Sequence, residues 1–238
     1  MARHSMPAEG RPSSERPQAA PRLSPAGTGA LLFDAAGEDF SPACQARILD
    51  MAARLAGADS VDGIVEATPG LNNLLLVFDP FVLPMEGARA LLSALWQRAD
   101  GQARAGREID VPVVYGGRAG LDIAALASAA GLDIEGYARL HSAAVYSVAC
   151  MGSYAGFAYL SGLPPALFAP RRPVPRKEIA SGSVIVGGAQ AGVMPCTGPS
   201  GWHAIGHCEL AMFDPAAERP CLFAPGDRVR FRIERVDA

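Results

Sequence analysis

The sequence predicts an α+β chain in two parts, a small sheet-and-helix unit followed by an all-β unit. Three observations carry that reading. Between residues 30 and 115, apolar segments of period two and period 3.6 follow one another in the order β-α-β-β-α-β. Beyond about residue 145 the helical period is lost, and short apolar runs are separated by glycine- and proline-rich connections. With 238 residues, half of them hydrophobic, the chain is long enough to bury a core in each part.

Residues 1–27 are rich in proline, serine and arginine and poor in large apolar groups. They cannot bury enough surface to offset their ordering entropy, so a flexible tail is expected. Leu31, Leu32 and Phe33 then make a short apolar strand. Ser41-Pro42 supplies an N-cap followed by proline in the first helical turn, and the helix runs to about Gly57, burying Ile48, Met51, Ala52 and Leu55. Val61 to Thr68 and Leu71 to Phe78 read as strands joined at the turn dipeptide Pro69-Gly70, with Asp79-Pro80 closing the second. Glu86 to about Arg104 carries Ala90, Leu91, Leu95 and Trp96 on one helical face, and Ile109 to Tyr115 returns as a strand. This order is the split-βαβ or ferredoxin-like plan, two helices on one face of a four-stranded sheet, assigned here to residues 28–117.

The second part, residues 118–238, begins after the break at Gly116-Gly117. Asp122 to Ala130 and Asp133 to Ala144 read as short helices, each with an aspartate near its start to meet the positive end of the dipole. Apolar segments follow at Tyr146 to Cys150, Ser183 to Val186, Trp202 to Ile205, Glu209 to Phe213 and Arg228 to Val236. Many short strands with such turns predict a closed β-barrel or a sandwich. The last alternates Val229, Phe231 and Ile233 with Arg228, Arg230 and Arg232, giving one buried and one solvated face.

Charge and cysteine content narrow the function classes. Lys+Arg 21 against Asp+Glu 24 leaves a net charge of -3, which provides no footprint for wrapping DNA or RNA. Cys44, Cys150, Cys196, Cys208 and Cys221 form an odd set without CxxC spacing, so neither a disulfide framework nor a zinc ribbon is indicated. A reduced, cytoplasmic setting is the expectation. No apolar run is long enough to cross a bilayer, and the N-terminus lacks the apolar region of a secretory signal, so a soluble protein without membrane contact is expected.

Three stretches could carry chemistry. Gly152 to Gly162, with Gly156, Tyr154, Phe157 and Tyr159, lets backbone N–H groups approach a ligand while rings wall it in; a barrel corner needing glycines accounts for it equally. A second loop runs from Gln190 through Gly192, Pro195, Pro199 and Gly201 to Trp202. Its glutamine amide both donates and accepts, as recognition of an amide needs, and the indole adds a flat wall; the competing account is a glutamine satisfying loop carbonyls. Pro170 to Arg176 holds Arg171, Arg172 and Arg176 in a proline-stiffened segment, suited to capture of a carboxylate or phosphate unless the arginines are merely solvated.

The histidines divide by context. His141 lies near a helix C-terminus, where the dipole favours its charged form, and serves there as a cap or as a general acid or base. His203 and His207 are four apart in a glycine-flanked strand, about 13 Å from one another, too far for one metal ion. Lys177 and the cysteines gain no role from their surroundings.

The collinear set Val113-Val114-Tyr115-Gly116-Gly117, His141 with Tyr146, Gly156-Phe157-Ala158-Tyr159-Leu160 with Gly162-Leu163, Pro170-Arg171-Arg172 with Pro175-Arg176, and Gly182-Ser183-Val184 resembles a known family. The series continues through Gln190, Gly192, Pro195, Pro199, Gly201-Trp202, Ile205-Gly206 and Pro225-Gly226-Asp227-Arg228-Val229. The family is that of allophanate hydrolase subunit 1 and the B subunit of 5-oxoprolinase, which includes the KipI kinase inhibitors. The resemblance covers residues 111–231 strongly and 30–110 weakly. Ser153, Ala155, Ala191, Met194, Gly198, Ser200 and His207 depart from its pattern.

The resemblance implies a cyclophilin-like β-barrel after the small domain. It also implies heteromeric partners: a homologous second subunit, the C type, completing the cleft, and a third of the A type. The activity it implies is ATP-dependent opening of 5-oxoproline to glutamate. Gln190 and loop amides would then orient the lactam, Arg172 or Arg176 would hold its carboxylate, and His141 would move a proton. The loop departures equally suit a divergent paralogue acting on a related small amide, and two further alternatives are a KipI-like clamp on a sensor histidine kinase and half of a urea carboxylase/allophanate hydrolase-type carboxyltransferase module.

Overall fold

The structure, a computed structural model, describes residues 20–37, 39–57, 60–101 and 106–237. Its first part contains β1 (Arg22–Pro25), β2 (Ala30–Asp34), α1 (Pro42–Leu55), β3 (Ile64–Pro69), β4 (Asn73–Phe78) and α2 (Met85–Arg98). The strands form one antiparallel sheet in the order β1-β2-β4-β3. Alternate residues Leu31, Phe33, Leu74, Leu76 and Phe78 point to one face. There they share an apolar core with Ile48, Met51 and Leu55 of α1 and Ala88, Leu92 and Leu95 of α2. The Ser41 hydroxyl caps α1 by accepting from Cys44 N–H at 3.2 Å, and Pro42 occupies the first turn.

The α+β class stands, but two strands sit elsewhere than the sequence pattern predicts. The fourth strand of the sheet is β1, inside the segment expected to be a flexible tail; residues 1–19 of that segment lie outside the described residues. A proline-ended strand is tolerated there because β1 is an edge. The strand expected at Ile109 to Tyr115 belongs instead to the barrel, since alternation specifies a face to bury and not the sheet that buries it. Helix α2 ends at Arg98, its buried face is Ala88, Leu92 and Leu95, and Ala90 is exposed; residues 102–104 of the expected helix lie outside the described residues.

The second part contains β5 (Glu108–Gly116), α3 (Ile123–Ala129), α4 (Ile134–Ala143), β6 (Tyr146–Met151), β7 (Ala158–Ser161), β8 (Arg176–Ile179), β9 (Ser183–Gly187), β10 (Gln190–Val193), β11 (Gly198–Ser200), β12 (His203–His207) and β13 (Arg228–Asp237). Seven strands close a barrel in the order β10-β7-β6-β13-β5-β12-β9, while β8 and β11 form a separate two-stranded ribbon. The long β5 and β13 run parallel. Val111, Val113, Val148, Leu160, Val184 and Phe231 are among the side chains of its core.

Two further details differ from expectation. Residues 209–213 form no strand: they cover the barrel with buried Met212, and only Phe213 makes an isolated bridge, to Cys221. Ile233, the last residue of β13 in register before a shift against β5, is exposed although it continues the alternation of Val229 and Phe231. The Gln45 amide joins the two parts, donating to Ala149 O at 2.8 Å and to Gly70 O at 2.9 Å. Among the described residues no helix is long and apolar enough to cross a membrane.

Candidate functional site

Strands β7 and β9, the ribbon strand β11 and the turn leading into β12 build an aromatic pocket of about 290 Å³ on the barrel. Phe157, Tyr159 and Trp202 meet edge to face, with ring centroids 5.0 to 5.9 Å apart. Ile185 and Met194, both almost wholly buried, pack with them. Such contacts fix ring orientation beyond what area burial alone does. Two glycines make the packing possible. A Cβ on Gly187 would stand 2.6 Å from the Trp202 ring, and one on Gly192 would stand 2.8 Å from the Phe157 ring, so each ring packs directly on bare backbone.

The two glycine-bearing loops close the pocket together. The Tyr154 hydroxyl donates to Pro199 O at 3.1 Å, tying the first loop to the second. Ser153, at the pocket wall, holds a φ of 69°, a region sparsely populated by non-glycine residues. Trp202 N–H donates to the Ser200 hydroxyl at 3.2 Å, which sets the indole at the end of the second loop.

The arginine segment runs along the rim, and it is organised by an acid for which the sequence predicts another task. Asp122 is expected to meet the dipole at the start of α3, but its side chain makes no capping bond. Instead its carboxylate accepts from Arg172 at 3.0 Å, from Arg176 bidentately at 2.6 and 2.8 Å, and from Ala204 N–H at 2.8 Å. Burial alone would raise its pKa. The Arg176 and Ala204 hydrogen bonds and the two guanidinium charges outweigh that, holding the carboxyl below its usual range. Nothing local in the sequence links Asp122 to arginines some fifty positions away.

Of the residues singled out from sequence, Phe157, Tyr159, Arg171, Arg172, Pro199, Gly201 and Trp202 line this pocket. The others lie elsewhere. Gly192 backs the Phe157 ring, and Gly156, at a φ of 83°, turns the chain tightly against Met212. Arg176 takes Asp122 bidentately, and Arg172 reaches the same carboxylate with one nitrogen while its buried Nε has no hydrogen-bond partner among the described residues. Arg171 has no acidic partner among the described residues; its Cζ stands 5.9 Å from the Trp202 ring centroid. Gln190 lines a second cavity of about 990 Å³, between the barrel and the sheet-and-helix part, and Arg171 borders both.

His141 is also elsewhere. It is fully buried in the barrel core against Tyr115, Tyr146 and Phe231, its Nδ1 2.8 Å from the Tyr115 hydroxyl and its Nε2 without a hydrogen-bond partner. The helix end alone would favour the charged form. Desolvation dominates instead and pushes the pKa down to about 3. A neutral imidazole outside the pocket lining does not match the proton-transfer role the resemblance implied. Among the described residues no group of three His, Cys, Asp or Glu is placed to hold a metal ion.

The family model described as "Carboxyltransferase domain, subdomain C and D" matches residues 21–223. The protein named as the B subunit of 5-oxoprolinase in Escherichia coli O157:H7 is 41% identical over 190 residues, 79% of this chain and 85% of its own. Its namesake in Haemophilus influenzae is 39% identical over 178 residues, 75% of this chain and 83% of its own. The crystal structure of TTHA0988 superposes with a TM-score of 0.76 at 34% identity, covering 87% of this chain; this chain spans only 40% of TTHA0988. Because the family match runs from the first strand of the sheet through every wall of the pocket, the chain belongs to the carboxyltransferase-domain family and, within it, to the 5-oxoprolinase B-subunit proteins.

Proposed function

We propose that the chain is the B subunit of an ATP-dependent 5-oxoprolinase-type complex that opens 5-oxoproline to glutamate, and that the aromatic pocket receives the cyclic acid. The supporting observation is a formed, small pocket within a chain 41% identical to a protein named as the B subunit of 5-oxoprolinase. At about 290 Å³ the pocket is at the small end of ligand cavities. It combines flat apolar walls with one guanidinium, that of Arg171, that no acid among the described residues has claimed. A five-membered lactam bearing a carboxylate has the complementary features.

A lactam carbonyl is a poor electrophile, and ATP supplies the activation in such a reaction by phosphorylating the amide oxygen. At about 290 Å³ the pocket has room for the small ring and not for a nucleotide beside it, so in this reading ATP binds outside the aromatic pocket. This chain's part is to bind and orient. Tyr159 and Trp202 flank the ring, Arg171 takes the carboxylate, and the Ser200 hydroxyl, already accepting from Trp202 N–H, keeps its own proton to donate to the lactam oxygen. Companions of the C type and A type complete the assembly.

The test is co-expression with candidate companions and measurement of ADP release over a panel of lactams and ureas. Release that depends on 5-oxoproline and on this chain supports the reading. Release driven equally by unrelated lactams, or undiminished when this chain is omitted, rejects it.

A further inference from the structure

The arginine segment at the pocket rim is anchored on both sides of Arg171. Before it, the Pro170 carbonyl accepts from His203 Nε2 at 2.9 Å. After it, Arg172 N–H donates to Gly201 O at 2.8 Å, and the Arg172 guanidinium reaches Asp122. The anchors converge on one carboxylate: Asp122 also accepts from Ala204 N–H, stands 4.0 Å from His203 Nδ1, and takes the fork of Arg176. The start of β12, which carries Trp202 beside it, and the arginine segment are thus referred to the same group.

We propose that Asp122 is a positioning residue for ligand binding: by clasping Arg172 and Arg176 it holds the Arg171 guanidinium over Trp202, so that Arg171 alone takes the substrate's carboxylate. The inference rests on the reading of the aromatic pocket as the 5-oxoproline site. Arg171 and Arg172 line the rim and Arg176 shares the same acid, so without Asp122 the three guanidinium groups would repel one another and Arg172 would compete with Arg171 for an incoming anion. With Asp122 in place, two are neutralised in part and fixed, and the backbone on both sides of the third is anchored so that its guanidinium stands near the Trp202 ring face, 5.9 Å from the centroid. Arg171 is exposed and free of acidic partners among the described residues, as a group awaiting an anionic ligand must be.

The test is steady-state ADP release by the reconstituted complex, with KM for 5-oxoproline and kcat read separately. Arg171→Ala should raise KM about tenfold or more, as loss of a charged hydrogen bond to a carboxylate does. Asp122→Asn should raise KM about five- to tenfold while kcat changes less than about twofold, and Asp122→Glu should recover part of the loss. In the Arg171→Ala background Asp122→Asn should add less than about twofold, because its effect passes through Arg171. Should Asp122→Asn lower the melting temperature enough to obscure the measurement, Arg176→Gln loosens the same clasp and carries the same expectation. A wild-type KM in Arg171→Ala removes the pocket reading and this inference with it. A raised KM in Arg171→Ala beside a wild-type KM in Asp122→Asn, or an Asp122 effect undiminished without Arg171, overturns the role of Asp122 and leaves the pocket reading standing.

Discussion

Two buried polar centres of the barrel part solve the same problem in opposite ways. Around Asp122, charge is taken out of water together with its partners: two arginines and a backbone N–H satisfy the carboxylate, and it stays ionised. Around His141, charge is avoided. The imidazole stands against the rings of Tyr115, Tyr146 and Phe231, bonds the Tyr115 hydroxyl, and stays neutral. A buried group keeps its charge when partners replace the water it lost, and otherwise changes protonation state. The first arrangement is directional and lies beside the pocket; the second is packing with a polar atom inside it.

The contrast can be broken at several points. Phe231→Ala, which empties the ring cage around His141, should cost about 3–5 kcal/mol in urea unfolding, as large-to-small changes in tight cores do. Asp122→Ala should cost about 3 kcal/mol by the same assay, because two arginines lose their shared acid. His141→Phe should cost less, about 1–2 kcal/mol, mainly from leaving the Tyr115 hydroxyl unpartnered.

The two centres also part company in acid. His141 has an ordinary pKa of 6.5 and a folded value of about 3, so the unfolded chain binds its proton first. Stability should fall as pH drops from 6.5 toward 3, by up to about 1.4 kcal/mol per unit, and His141→Phe should flatten that limb of the urea-midpoint profile. The Asp122 contribution is lost only below its ordinary value of 3.8, as the pH falls through the lowered folded pKa. The smallest effect belongs to the exposed pair Arg139 and Glu135, where Arg139→Ala should change stability by less than about 0.5 kcal/mol.

Signals that act locally are legible in the sequence. Ser41-Pro42 marks the start of α1, and the composition of the two glycine-bearing loops marks the walls of the pocket, because glycine beside aromatic rings is a property of the segment itself. Partner choice is not legible. The alternation at 109–115 reads the same in a small sheet or in a barrel, and β1 hides in proline- and serine-rich surroundings because an edge strand needs little apolar character. The arginines at 171, 172 and 176 announce cation density, yet which of them is free depends on an aspartate near the start of α3. At His141 the helix end predicts one sign of pKa shift and burial imposes the other, since the dipole acts through about one turn while desolvation acts wherever water is excluded.

The parallel pairing of β5 with β13 has a consequence for biosynthesis. The strand that opens the barrel is flanked by the one that comes last in it, so its seam stays open on the ribosome until nearly the whole unit has emerged. The preceding sheet and its two helices, made wholly of earlier residues, can mature while translation continues. Stalled nascent chains ending before residue 228 should therefore expose unsealed barrel edges to chaperones, next to an N-terminal part already resistant to protease.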